Sequence, residues 1–86
     1  TDVFTGLKLA YRAAKAGGSM PTVYNAANER AVGLFLDKKI SYLQITELIE
    51  ACMDAHKVVE DPDVDEILTA EKEASECVLQ RVQAQS

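Results

Sequence analysis

The side chains that could do chemistry in this chain are few, and their spacing forms no known catalytic or metal-binding pattern. The single histidine, His56, falls near the C-terminal end of a predicted helix, with no partner residue at a suggestive spacing. We expect it to pack against the core or cap that helix, with a ligand or general-base role as the alternative. Asp61, Asp63 and Asp65 alternate as in a calcium-binding loop, but the required loop glycine and terminal glutamate are not in place. We therefore expect these carboxylates to serve a turn and a helix start.

Phosphate binding and nucleophilic catalysis have equally little support. Gly17-Gly18 lacks the further glycines and the Lys-Ser/Thr pair of phosphate-binding loops, so we expect it to end a helix in the left-handed conformation. Ser19, Ser41 and Ser75 have no histidine in a suggestive sequence context, so none is expected to act as a nucleophile. The residues alone therefore predict no catalytic residue, no cofactor-binding residue and no metal ligand in this chain.

A polar cluster interrupts the most apolar helical segment, residues 21–36. Asn25, Asn28 and Glu29 stand at positions i, i+3 and i+4, so their side chains can touch along one flank of the helix. A helix this apolar is typically the central one of a small domain, and a buried amide needs hydrogen-bond partners. We expect the cluster to fasten the helix to the backbone of a neighbouring loop. A polar contact across a domain interface or to a ligand is the alternative.

The overall composition excludes several classes of protein. The 86 residues suffice for one domain, or are a piece of a larger protein, and 48% are hydrophobic, which argues against disorder. A net charge of -5 without a basic patch argues against nucleic-acid binding, and no apolar run is long enough to span a membrane. Cys52 and Cys77 lack metal-ligand spacing and fall on apolar faces. Free buried thiols are expected, and a disulfide is not excluded.

The periodicity predicts an all-α fold, a small bundle of four main helices with short connections. The predicted helices cover residues 3–16, from the Ser19 cap to about 36, about 43–57 and 70–83, with a short helical turn over 63–68. Ser41 with Gln44, and Asp63 with Glu66, have capping-box spacing. Thr69 is expected to cap the last helix, and a short strand over 40–43 is the alternative to an extended connector. The predicted apolar stripe of the first helix is Val3, Phe4, Leu7, Ala10, Tyr11 and Ala14.

An ordered set of motifs also resembles a known family. It runs Leu7-Lys8-Leu9-Ala10-Tyr11, Ala16-Gly17-Gly18-Ser19-Met20-Pro21, Asn25-Ala26-Ala27-Asn28-Glu29, Ala31-Val32, Phe35-Leu36, Lys39-Ile40-Ser41-Tyr42-Leu43, Ile45 and Leu48-Ile49-Glu50. Together these resemble the C-terminal helical domain of 1-deoxy-D-xylulose 5-phosphate reductoisomerase. The resemblance covers residues 7–56 closely and the remainder thinly, and Gln44 stands where the family usually has an aspartate. The residues of the motifs Gly17-Gly18-Ser19-Met20 and Ile40-Ser41-Tyr42-Leu43 are most similar to those of plastid and cyanobacterial members.

The resemblance implies a part of a larger enzyme. That enzyme would convert 1-deoxy-D-xylulose 5-phosphate to 2-C-methyl-D-erythritol 4-phosphate in non-mevalonate isoprenoid biosynthesis, using NADPH and a divalent metal, Mg or Mn. In the family, other domains hold the nucleotide, the metal and the substrate phosphate, so no functional residue carries over to this chain. The implied partners are the catalytic domain and a second copy of the enzyme in a homodimer, and the implied compartment is the plastid stroma or a bacterial cytoplasm. The alternative is a free-standing helical interaction module without enzymatic activity.

Overall fold

The computed structural model describes the backbone of residues 2–85 and the side chains of residues 6–84. Four helices follow one another: α1 (Asp2–Ala16), α2 (Met20–Leu36), α3 (Tyr42–Ala55) and α4 (Val64–Gln85). There is no strand within residues 2–85, and α3 already begins inside the segment considered for one. The predicted all-α bundle of four main helices is confirmed.

Helix α2 lies at the centre and contacts each of the other three helices. Ala27 and Ala31 are completely buried, because a side chain of one methyl group lets neighbouring helices approach closely. Val23 and Met20 continue the same buried face toward the N-terminus of α2. The core consists of small and aliphatic side chains with two sulfur-containing types: Leu9, Ala13, Met20, Val23, Ala27, Ala31, Ile40, Ile45, Leu48, Ile49, Cys52, Met53, Ala70, Ala74 and Val78.

Helix α1 buries a different face from the predicted one. Leu7 and Tyr11 are 64% and 68% exposed, whereas Leu9 and Ala13 are 3% and 2% exposed. At about 100° per residue, Leu9 lies roughly half a turn away from Leu7, so the two cannot share a face. The first two members of the predicted stripe lie outside the described side chains. Helix α1 is apolar on two sides, and the bundle covers only the side of Leu9.

Both predicted capping boxes are present. The Gln44 backbone N–H donates to Ser41 Oγ at 3.3 Å, and the Ser41 N–H donates to Gln44 Oε1 at 2.7 Å. The Glu66 N–H donates to Asp63 Oδ1 at 2.8 Å, and the Asp63 N–H donates to Glu66 Oε1 at 3.0 Å. Each pair satisfies two backbone donors that a helix start would otherwise leave open. The starts of α3 and α4 are therefore fixed by local sequence.

The predicted break at Thr69 is wrong, because α4 is one helix of 22 residues. The Asp63–Glu66 box already starts it, and residues 64–70 contain no glycine or proline that would interrupt it. Ala70, Ala74 and Val78 are buried, as predicted, and α4 makes its most extensive contact with α2. The last helix is thus firmly packed over its middle.

Candidate functional site

Ser19 is the N-cap residue of α2, as predicted, but its side chain makes no capping hydrogen bond. The side chain instead joins two distant parts of the chain. Its Oγ accepts a hydrogen bond from the Val59 N–H at 2.8 Å and lies 2.7 Å from His56 Nε2. When Nε2 carries no proton, the Ser19 hydroxyl donates to it. The Ser19 N–H also donates to the Val59 carbonyl at 3.0 Å. We call Ser19, His56 and Val59 the Ser19 junction. It ties the α1–α2 turn to the connection between α3 and α4.

The close approach at the Ser19 junction depends on the preceding glycines. Gly17 and Gly18 have φ angles of +69° and +55°, the left-handed conformation that the sequence predicted for a helix end. A Cβ on Gly18 would lie 2.4 Å from the Val59 carbonyl oxygen and 3.0 Å from Val58 Cγ1. Residue 18 must therefore be glycine, because the backbone is left-handed there and no room is left for a Cβ.

The serine–histidine contact in the junction is structural. Ser19 is completely buried, so its hydroxyl offers no access for a substrate, and it already accepts the Val59 N–H. His56 is the C-cap residue of α3, and its backbone N–H donates to the Met53 carbonyl at 3.2 Å. The prediction of a packing or capping histidine is confirmed. The sequence analysis missed its pairing with Ser19, which lies 37 positions away. The two adjacent glycines were the available signal for a close backbone contact.

The structure does not bury the predicted polar cluster as a unit. Asn25 and Glu29 are exposed, and Asn28 is half-buried. Among the described residues, none of the three side chains forms a hydrogen bond, and no buried side-chain polar atom lacks a partner. The expectation of a buried fastening is therefore wrong for Asn25 and Glu29, because this flank of α2 borders a groove open to solvent. The neighbouring Arg30 Nε donates to Ser75 Oγ of α4 at 2.8 Å in the same groove.

A groove of about 750 Å³ runs between the C-terminal half of α3 and α4. Its walls include both cysteines and His56, as well as one cation, Lys57. Five carboxylates also line it: Asp63, Asp65, Glu66, Glu73 and Glu76. This excess of negative charge repels the phosphate groups of a nucleotide, so the groove does not suit NADPH.

Metal binding is also unsupported by the geometry. Across the described side chains, no three His, Cys, Asp or Glu residues are placed to hold one ion together. The alternating aspartates instead serve the start of α4 through Asp63, as predicted. No step of a metal- or nucleotide-dependent reaction can be assigned to the side chains of residues 6–84.

Part of the surface is apolar. On α1, Leu7 and Tyr11 form an exposed pair beside Lys15 and the ion pair that joins Arg12 to Asp54 of α3 at 2.6 Å. A second apolar region lies around the α2–α3 connection and consists of Leu36, Tyr42 and Leu43. Within residues 2–85, no helix combines the length and apolarity needed to cross a bilayer.

Comparison with known proteins places the chain in a family. The sequence pattern of the DXP reductoisomerase C-terminal domain matches residues 1–77. The chain belongs to this family. The predicted resemblance to the C-terminal helical domain of the reductoisomerase is thereby confirmed.

Individual DXP reductoisomerases agree with this assignment. The chain is 56% identical over 80 residues to 1-deoxy-D-xylulose 5-phosphate reductoisomerase of Agathobacter rectalis, covering 93% of the chain and 21% of that protein. It is 45% identical over 75 residues to the reductoisomerase of Gloeobacter violaceus, covering 87% of the chain and 19% of that protein. The solved reductoisomerase of Zymomonas mobilis in complex with NADPH superposes with a TM-score of 0.82 at 36% identity, covering 88% of this chain and 20% of that one. The chain therefore spans about a fifth of the length of its relatives.

Proposed function

We propose that this chain is the C-terminal structural domain of an NADPH-dependent reductoisomerase that converts 1-deoxy-D-xylulose 5-phosphate to 2-C-methyl-D-erythritol 4-phosphate. The observation that carries this proposal is the family match over residues 1–77. The domain itself contributes no catalytic residue. The acidic groove, the buried serine–histidine contact and the absence of a metal-type cluster among the described side chains all agree with a scaffold. The match to one family over most of the chain favours this function over a free-standing interaction module.

We infer that the remaining domains of the enzyme hold NADPH and the divalent metal, Mg or Mn. The Zymomonas mobilis relative, of which this chain matches 20%, is a complex with NADPH. A homodimer is the proposed assembly, with neither nucleic acid nor membrane as a partner. The proposed location is a bacterial cytoplasm, which the bacterial relatives favour over the plastid stroma.

The proposed contact with the catalytic domain is the second apolar side of α1. Leu7 and Tyr11 are large, exposed and adjacent on this side, which the bundle itself leaves uncovered. An apolar face with a basic rim is typical of a surface that another protein surface covers. Because the relatives are about five times longer than this chain, the proposed occupant is the rest of the same polypeptide.

The polar cluster of Asn25, Asn28 and Glu29 is the proposed second contact. Its amides and carboxylate point away from internal partners, since none forms a hydrogen bond within the described residues. The exposed Asn25 and the half-buried Asn28 carry amides at i and i+3 that can pair with backbone groups of another domain, which gives a specific rather than merely apolar contact.

An assay of the 86-residue chain alone tests the absence of catalytic groups. We expect no oxidation of NADPH in the presence of 1-deoxy-D-xylulose 5-phosphate and Mg²⁺, while the enzyme of Zymomonas mobilis under the same conditions serves as the positive control. Turnover that depends on the chain concentration would contradict the proposal, because it would require an active site within these residues.

A further inference from the structure

Two thiols from different helices meet in the groove between α3 and α4. Cys52 Sγ of α3 and Cys77 Sγ of α4 are 2.8 Å apart, although the residues are 25 positions apart in the chain. This separation is about 0.8 Å longer than a covalent S–S bond. Both cysteines are free, Cys52 is 2% exposed and Cys77 is half-buried. The fold thus brings together two groups that the sequence shows as unrelated.

We propose that Cys52 and Cys77 are a reversible disulfide site that links α3 to α4. Three features support it independently of each other. The sulfur atoms already face each other at nearly bonding distance, so little movement of the helices is needed. Both residues line the open groove, and the half-buried Cys77 is the one that a small reagent can reach. No other cysteine is present in the chain to compete for either one.

The two thiols are chemically unequal, which sets the order of reaction. Burial, with a further contribution from the Cys77 thiol, raises the pKa of Cys52 from 9.0 to about 12. Cys52 is therefore a poor first nucleophile, because the thiolate is the reactive form. Cys77 is more exposed, and its sulfur lies near the Arg81 guanidinium, whose pKa it raises.

The reaction is a two-step exchange with an external small disulfide. The Cys77 thiolate attacks one sulfur of that disulfide, forms a mixed disulfide and releases one small thiolate. The Cys52 thiol then loses its proton to that thiolate and attacks Cys77 Sγ, which expels the second small thiolate. The chain loses two electrons and two protons, and the external disulfide becomes two thiols. Reduction by a dithiol reverses both steps.

The link would stabilise one side of the bundle. The 24 residues between the cysteines include the whole α3–α4 connection, and with it His56 and Val59 of the Ser19 junction. A disulfide across this segment restricts the unfolded chain much more than the folded one. Oxidation is therefore expected to raise the free energy of unfolding, while the reduced chain keeps α4 packed on α2 and α3.

The test equilibrates the 86-residue chain with 2-mercaptoethanol and its disulfide, a neutral pair that the acidic groove does not repel. The ratio of closed to open chain is measured by mass spectrometry after acid quenching, in native buffer and in concentrated guanidinium chloride. We expect the ratio in native buffer to exceed that in denaturant by roughly 350-fold, from the loop-entropy relation for this spacing. The same ratio in both solvents would overturn the proposal, because the fold would then not favour the bond.

Two single variants test the order of attack. In Cys52→Ser, Cys77 is expected to accumulate as the mixed disulfide with 2-mercaptoethanol, since no second thiol resolves it. In Cys77→Ser, Cys52 is expected to react at least roughly tenfold more slowly, because its thiol is buried and stays protonated. Equal rates in the two variants would overturn the assignment of Cys77 as the entry sulfur. Closed chain whose yield rises with protein concentration would overturn the intramolecular link.

Discussion

Ser19 Oγ lies 2.7 Å from His56 Nε2 and is the only completely buried polar side chain among residues 6–84. Two segments that are distant in sequence meet at this atom, which also accepts the Val59 N–H. The contact explains why the side chain of this N-cap serine makes no capping hydrogen bond to α2. The position of the α1–α2 turn is therefore coupled to that of the α3–α4 connection.

Ser19→Ala is expected to destabilise the chain by about 1–3 kcal/mol, because a part-buried N–H and a histidine nitrogen lose their partner. Denaturant-induced unfolding followed by circular dichroism measures the change. Ser75→Ala is the matched control, since its hydroxyl accepts an exposed bond from Arg30. That variant should change stability by less than about 0.5 kcal/mol. Equal effects of the two substitutions would show that the Ser19 junction is not a stabilising contact.

Three glycine-to-alanine variants separate the cost of the left-handed backbone conformation from the cost of a steric clash at the added Cβ. Gly18→Ala places a Cβ 2.4 Å from the Val59 carbonyl oxygen at a φ of +55°, so we expect a loss of more than about 2 kcal/mol. Gly17→Ala has the left-handed conformation but open space, which predicts a loss of about 1–2 kcal/mol. Gly6→Ala lies within α1 with no atom within 4 Å of the added Cβ, and should stabilise by about 0.5–1 kcal/mol. Thermal melts should show this order, and a reversed order of the first two would refute the close contact.

The exposed side of α1 provides a prediction about association. Leu7→Ser combined with Tyr11→Ser should lower the binding of a hydrophobic dye and any self-association of the isolated chain, because both side chains are largely exposed. The melting temperature should change little, whereas Leu9→Ser, on the buried side, should unfold the chain or lower its stability by about 2 kcal/mol or more. A large loss of stability in the double variant would mean that this side is packed within the domain.

Asn28→Ala tests the role of the polar cluster. For a buried, hydrogen-bonded amide the substitution would cost about 1–3 kcal/mol. Since Asn28 is half-buried and has no internal partner among the described residues, we now expect a change below about 0.5 kcal/mol in the isolated chain. The same substitution in a full-length reductoisomerase carrying this domain should cost more, if the amide contacts another domain. An equal, small effect in both settings would remove the cluster from the proposed interface.

The shifted pKa of Cys52 predicts how stability depends on pH under reducing conditions. Burial raises this pKa from 9.0 to about 12, so the folded state keeps a proton that the unfolded state loses. The stabilising contribution is therefore complete below about pH 9 and is lost as the pH rises toward 12, by at most about 1.4 kcal/mol per pH unit. Stability curves of the reduced chain and of Cys52→Ala should converge over this range. A difference between them that does not change with pH would contradict the shift.

The architecture was accessible from sequence because its signals are local. The Ser41–Gln44 and Asp63–Glu66 boxes and the Gly17-Gly18 turn each depend on residues within one helical turn, and all three occur as predicted. The continuity of α4 through Thr69 was missed, because a threonine in a helix start is compatible with both a cap and an interior position.

The contacts between distant segments were not accessible from sequence. Ser19 with His56 and Cys52 with Cys77 are 37 and 25 positions apart, and no periodic pattern relates the members of either pair. The orientation of α1 was also undetermined, because the helix has two apolar sides, one with Leu7 and one with Leu9. The sequence does not show which side packs in the bundle and which is left for the proposed contact with the catalytic domain. The cluster of Asn25, Asn28 and Glu29 was predicted to be buried for a related reason. Polar residues at i, i+3 and i+4 have the same spacing whether that flank of the helix faces a solvent-filled groove or is packed against another segment.

The most direct test of the central claim replaces the corresponding C-terminal fifth of the Zymomonas mobilis reductoisomerase with this chain. The measurement is oxidation of NADPH that depends on 1-deoxy-D-xylulose 5-phosphate, compared with the intact enzyme and with the enzyme truncated before this domain. Because we propose that this chain is the structural domain of such an enzyme, we expect turnover by the chimera and little or none by the truncated enzyme. An inactive chimera that is folded and soluble, or a truncated enzyme as active as the intact one, would contradict the account.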